Sequence, residues 1–132
     1  MCLKLMRRRH SQTTNLRAQL NQALQTGRVT EALELYELIE KQKPDEPRWP
    51  HRKGDLLRRM GRKADAVLAY ERAVELYAAK GFVARAVATA KVMLAIDSSK
   101  GEVLERVDPE ARRRLDRKNR TVIVGGSRAE AR

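Results

Sequence analysis

The side chains in this chain that could do chemistry are overwhelmingly cations. Lysine and arginine number 29 against 17 acids, a formal net charge of +12. That excess suits the binding of anions: an acidic peptide or protein surface, nucleic acid, or an anionic membrane. The densest run, Arg112-Arg113-Arg114 with Arg117, Lys118 and Arg120, could track phosphates. It lacks the interleaved aromatics of single-strand binders and any duplex-reading motif, so a solvated helix or linker is the stronger reading. Nothing in the chain assembles a catalyst. Cys2 has no paired histidine, and one cysteine excludes an internal disulfide and a cysteine-rich metal site. His10 and His51 have no partners at metal-ligand spacing. Gly125-Gly126 after Val-Ile-Val lacks the Lys-Ser/Thr that would hold nucleotide and magnesium. No carboxylate pair is set for acid–base work. No cofactor is implied, and no enzyme is expected.

The elements that must position these cations are helices. Hydrophobic residues make up 42% and aromatics only 4% of the 132 residues, which suits one small all-α domain with a thin core. The opening Met-Cys-Leu-Lys-Leu-Met-Arg-Arg-Arg-His has no apolar run long enough for a signal peptide, and Met6 is an alternative start. No segment has the roughly 18 to 20 apolar residues a bilayer crossing needs. The expectation is a cytoplasmic protein that makes no membrane contact.

Residues 1–12 read as a basic, flexible lead, and a helical array is expected over 13–97. From Asn15, Leu16, Leu20, Ala23 and Leu24 recur at helical steps until Gly27. Thr30 is placed to cap the next helix, in which Ala32, Leu35, Tyr36 and Ile39 form a stripe widened by Leu33 and Leu38, and Pro44 ends it. Pro50 falls in the first turn of a third helix carrying Leu56, Leu57 and Met60 inward and showing Arg52, Lys53, Arg58 and Arg59. After Gly61 a fourth helix runs to about Lys80-Gly81. Its Ala66, Val67, Leu68, Ala69, Tyr70, Ala73, Val74 and Tyr77 are set to pack on two sides. A fifth helix follows from Val83 to Ile96, and Gly101–Val107 is a short helical possibility. Asp108 and Pro109 open the arginine-rich helix of a basic extension over 98–120. Thr121-Val122-Ile123-Val124 is β-prone but has nothing to pair with, so 121–132 reads as disordered or as a docking strand for another chain.

Gly27, Ala32 and Tyr36 recur as Gly61, Ala66 and Tyr70, each displaced by 34 residues (61 − 27, 66 − 32, 70 − 36). A small residue lets two helices approach, and an aromatic four positions later plugs the neighbouring gap. Gly81, Val83, Ala86 and Ala90 echo the pattern again after 20 residues (81 − 61). The fourth helix is therefore expected to close one hairpin and open the next.

A helix–turn–helix of this period with Gly, Ala and Tyr so spaced resembles the tetratricopeptide repeat, over about residues 13–46 and 47–80. Gly54, Leu57, Gly61, Ala66, Tyr70 and Ala73 carry the match in the second unit, where Trp49 lies one position from the family's opening tryptophan, and Pro44 carries it in the first. The first unit departs from the family pattern at Leu20 and Ile39. The resemblance implies a right-handed superhelical solenoid of helical hairpins, about five to seven helices here. It also implies a protein-interaction module whose first helices line a concave groove. By repeat position that groove would present Arg17, Asn21, Arg48, His51, Arg52, Asp55, Arg58, Arg59 and Arg72, a basic set suited to a partner's acidic segment. Thr14, Ala18 and Arg48 stand where chaperone-binding members carry their carboxylate clamp, so chaperone tails are not expected ligands. The tyrosines and Trp49 read as core plugs. Nucleic-acid binding through the basic termini and the arginine-rich helix is the alternative function, and self-association is compatible with so short an array.

Overall fold

The computed structural model describes the backbone of residues 2–130 and the side chains of residues 14–118 and 120. Seven α-helices make up most of it: α1 (Cys2–Gln25), α2 (Val29–Gln42), α3 (Arg48–Arg59), α4 (Lys63–Ala79), α5 (Val83–Ile96), α6 (Gly101–Val107) and α7 (Pro109–Glu130). A single 3-10 turn, Ser98–Lys100, precedes α6, and no strand occurs among the described residues. Each helix packs mainly on its sequence neighbours, the arrangement of a helical-hairpin solenoid.

Three identical turns set the array. Gly27, Gly61 and Gly81 take φ of 71°, 78° and 79°, a region open to glycine at little cost. After each, the next residue's N–H reaches back to close the preceding helix: Arg28 to the Ala23 carbonyl, Arg62 to Leu57 and Phe82 to Tyr77, all at 2.9 Å. Ala32, Ala66 and Ala86 then enter their helices fully buried. The 34-residue register extends to the surface, where Arg28–Glu31 and Arg62–Asp65 both pair at 2.8 Å. At the third turn the same two positions hold Phe82 and Arg85, and the ion pair becomes a guanidinium 5.7 Å from a ring centroid.

The expectation for α4 holds: it packs against both α3 and α5, and Ala66, Val67, Ala69, Tyr70, Ala73, Val74 and Tyr77 are all buried. On the α3 side the approach is close enough that a Cβ added to Gly54 would lie 2.9 Å from the Tyr70 ring. Gly54→Ala should gain about 1 kcal/mol of helix propensity and lose about 1–3 kcal/mol to overpacking, because the fully buried ring cannot retreat. The expected result is a lower melting temperature, read by circular dichroism.

Other expectations need correction. Thr30 does not cap α2: the Gly27 turn feeds directly into the helix at Val29, and the cap position falls on Arg28, with no side-chain cap bond. Leu24, Leu38, Met60 and Leu68 are exposed, Leu68 by 62%. They flank the buried stripes, Leu68 at a cleft it shares with Leu33 and Leu57. Lys53 is not displayed beside the arginines but turns to α2 and pairs with Glu40 at 2.9 Å. Helix α1 begins at Cys2, ahead of the patterned stretch, and α7 carries Thr121–Val124 within it to Glu130. With no strand to pair with, that β-prone run satisfies its backbone locally in a helix. The expectations of flexibility for 1–12 and disorder for 121–132 otherwise concern side chains outside the described residues.

The basic extension joins the array. Val103 and Leu104 of α6 and Ala111 of α7 are buried, and Glu71 of α4 faces Lys100 at 3.6 Å and Arg106 at 3.9 Å. Asp108 caps α7 as expected, its Oδ1 accepting from the N–H of Glu110 at 3.0 Å and of Ala111 at 3.1 Å.

Candidate protein-interaction site

Helix α3 divides cleanly. Trp49, Pro50, Gly54, Leu56 and Leu57 are buried on one side. Arg48, His51, Arg52, Asp55, Arg58 and Arg59 recur at three- and four-residue steps on the other, the arginines exposed and His51 and Asp55 half-buried. Four guanidinium groups and one carboxylate thus share a single helical face.

Trp49 organises the start of this face. It is only 2% exposed, and its Nε1 donates to Glu46 Oε2 at 2.8 Å. The ring of Tyr36 lies tilted beside it, 6.5 Å between centroids. Arg17 reaches over from α1 to within 5.0 Å of the indole centroid, and Arg48 and Arg52 approach to 5.9 and 5.8 Å. Such contacts each contribute about 0.5–1 kcal/mol at exposed sites. Glu46 Oε2 is also 3.9 Å from Arg17 Nη2. Among the described residues Arg48, Arg52 and Arg59 pair with no carboxylate within 4.0 Å.

One turn further on, two tyrosines from α4 anchor the half-buried polar pair. Tyr70 donates to Asp55 Oδ1 at 2.6 Å, and the Tyr77 hydroxyl lies 3.1 Å from His51 Nδ1. Both rings meet His51 edge-on with centroids 5.9 Å apart, and His51 Nε2 is 3.9 Å from Asp55 Oδ2. The Tyr70 phenol is pushed well above its ordinary value, first by burial and then by its hydrogen bond to Asp55, with nearby Arg58 opposing. Tyr36 is raised too, by burial first, with Arg52 opposing. Because the folded-state values lie above the unfolded ones, this contribution to stability is intact below about pH 10 and is lost as pH rises beyond it. Alkaline titration should therefore unfold wild type at lower pH than Tyr70→Phe when each is compared with its own neutral-pH stability.

The structure brings together seven of the nine residues expected from repeat position, and leaves Asn21 and Arg72 outside the group. Arg17 sits over Trp49, Asn21 lies exposed one turn along the same stripe of α1, and the six α3 residues form one face. Arg72 does not join them. It stands two positions after Tyr70, about 200° round α4, pairs with Glu75 at 3.7 Å and lines a cleft with Glu37, Glu40, Lys41 and Lys53 on the opposite side. Repeat position missed Phe82 and Arg85. With Arg48, Tyr77, Lys80, Glu46 and Pro47 they line a cleft where α3 and α5 begin and α4 ends. The available signal was an aromatic directly after the turn glycine; Phe82 is 48% exposed.

No protein-family model matches the chain, and no curated protein matches it. No group of three potential metal ligands occurs among the described residues, and none of their helices is long and apolar enough to cross a membrane.

The arginine-rich helix is arranged differently. Arg112 pairs with Asp116 at 3.3 Å and its guanidinium packs on Gly101. Arg113 pairs with Glu110 at 2.8 Å, and Arg114 is 3.6 Å from Asp108. Lys118 and Arg120 are exposed, as is Arg117.

Proposed function

We propose that the protein is a non-catalytic adaptor of the tetratricopeptide type, whose basic face on α1 and α3 receives an acidic segment of another protein. The observation that carries this reading is the outward face of α3, where Arg48, Arg52 and Arg59 have no carboxylate partner among the described residues while the tyrosines of α4 fix the half-buried residues between them. An extended chain bearing Asp or Glu supplies the missing partners through charge-assisted bonds, and guanidinium forks suit carboxylates better than ammonium groups do. The glycine turns, the small residues at helix crossings and the 34-residue register support the family assignment.

Against the nucleic-acid alternative, Arg112, Arg113 and Arg114 are already engaged with Asp116, Glu110 and Asp108. The test is capture of protein partners after nuclease treatment. The Arg52/Arg58/Arg59 charge reversal should abolish capture, and neutralising Arg113, Arg114, Lys118 and Arg120 should leave it intact. The converse pattern would favour the alternative.

A further inference from the structure

We infer that the arginines around Trp49 seat a phosphorylated side chain on the segment this face receives; the inference rests on the adaptor reading and narrows its ligand. Arg17, Arg48 and Arg52 come from two helices, yet each guanidinium carbon lies within 5.9 Å of the same indole centroid. Among the described residues the one carboxylate in contact with this group, Glu46, already accepts from Trp49 Nε1 and is 3.9 Å from a single arginine. Arg17 Nε is buried without a hydrogen-bond partner. Helix α3 also starts here with no acidic residue in its first turn, so its positive end adds to the same field. Like charges gathered around one ring repel one another, and a bound anion relieves that repulsion.

Charge decides which anion fits. A carboxylate brings one negative charge and two oxygens, enough for one guanidinium fork. A phosphate monoester brings about −1.5 to −2 charges and three acceptor oxygens, which suits three guanidiniums gathered around one indole. A nucleic-acid diester spreads its charge along a strand and usually adds base stacking. The buried Trp49 offers no face for that.

Trp49 is the sole tryptophan, so its emission reports directly on this site. The full chain would be titrated with a Glu/Gly/Ala peptide carrying one central phosphoserine, with its serine counterpart, and with inorganic phosphate alone. The phosphopeptide should bind at least about tenfold more tightly than either and shift the Trp49 emission. Arg48→Gln with Arg52→Gln should bring the two peptides to equal affinity at unchanged helicity, and the lysine pair at these positions should retain part of the preference. Equal affinities of the two peptides in wild type would overturn the phosphate seat and leave the acidic-segment reading standing. Binding of neither peptide would overturn both. Inorganic phosphate matching the phosphopeptide, or a single-stranded oligonucleotide displacing it equally well, would also overturn the inference.

Discussion

Tyr70→Ala is expected to destabilise the fold by about 3–5 kcal/mol, the range for removing a large buried aromatic. Small domains have about 5–15 kcal/mol in total, so the variant should be largely unfolded or should melt far below wild type. The ring is fully buried, lies against Gly54 and meets the edge of His51, while its hydroxyl donates to Asp55. Its helix, α4, packs on both neighbours, so a cavity there loosens α3 directly and α5 through the shared backbone. Tyr70→Phe separates packing from hydrogen bonding. It keeps the ring and leaves Asp55, which is half-exposed, to be hydrated, so the loss should be only about 0.5–1.5 kcal/mol. Urea unfolding followed by circular dichroism measures both. Equal losses in the two variants would mean that the hydroxyl, and not the ring, holds α3 to α4.

The array's architecture was legible because backbone geometry demanded particular residues. Positive φ at the three turns selects Gly27, Gly61 and Gly81, and the close crossing behind each selects Ala32, Ala66 and Ala86. The 20-residue step was visible for the same reason, and with it the double role of α4. Side-chain exposure was less legible. Leu38 and Leu68 have the spacing of core residues, but whether a stripe's edge is covered depends on how the next helix crosses, which no local pattern encodes. Arg72 was placed by repeat position on a helix serving two neighbours, where position no longer specifies one face. The cap on α2 was misplaced because the glycine turn closes the preceding helix with backbone groups alone, needing no hydroxyl. Most of the basic face was legible, since α3 alternates buried and charged residues at helical spacing. Its extension to Phe82 and Arg85 was not, because those residues mirror an ion pair at the first two turns and change character only at the third.

Reversing the charge of Arg52, Arg58 and Arg59 together is expected to weaken binding of an acidic peptide by about a hundredfold or more. Each substitution removes an attractive partner and installs a repulsive one, on a face whose internal carboxylate is Asp55 alone. All three side chains are exposed, so the fold should survive. Wild-type affinity should fall as salt rises, since exposed charges are screened over about 10 Å at 0.1 M, and the reversed variant should lack that dependence. The central claim is tested most directly by titrating a fluorescent Glu-rich peptide into the purified full chain, the Arg52/Arg58/Arg59 reversal, and a variant neutralised at Arg113, Arg114, Lys118 and Arg120. Binding by wild type and by the α7 variant, with loss in the reversal at unchanged helicity, is the predicted result. Binding that survives the reversal and disappears with the α7 variant would contradict it.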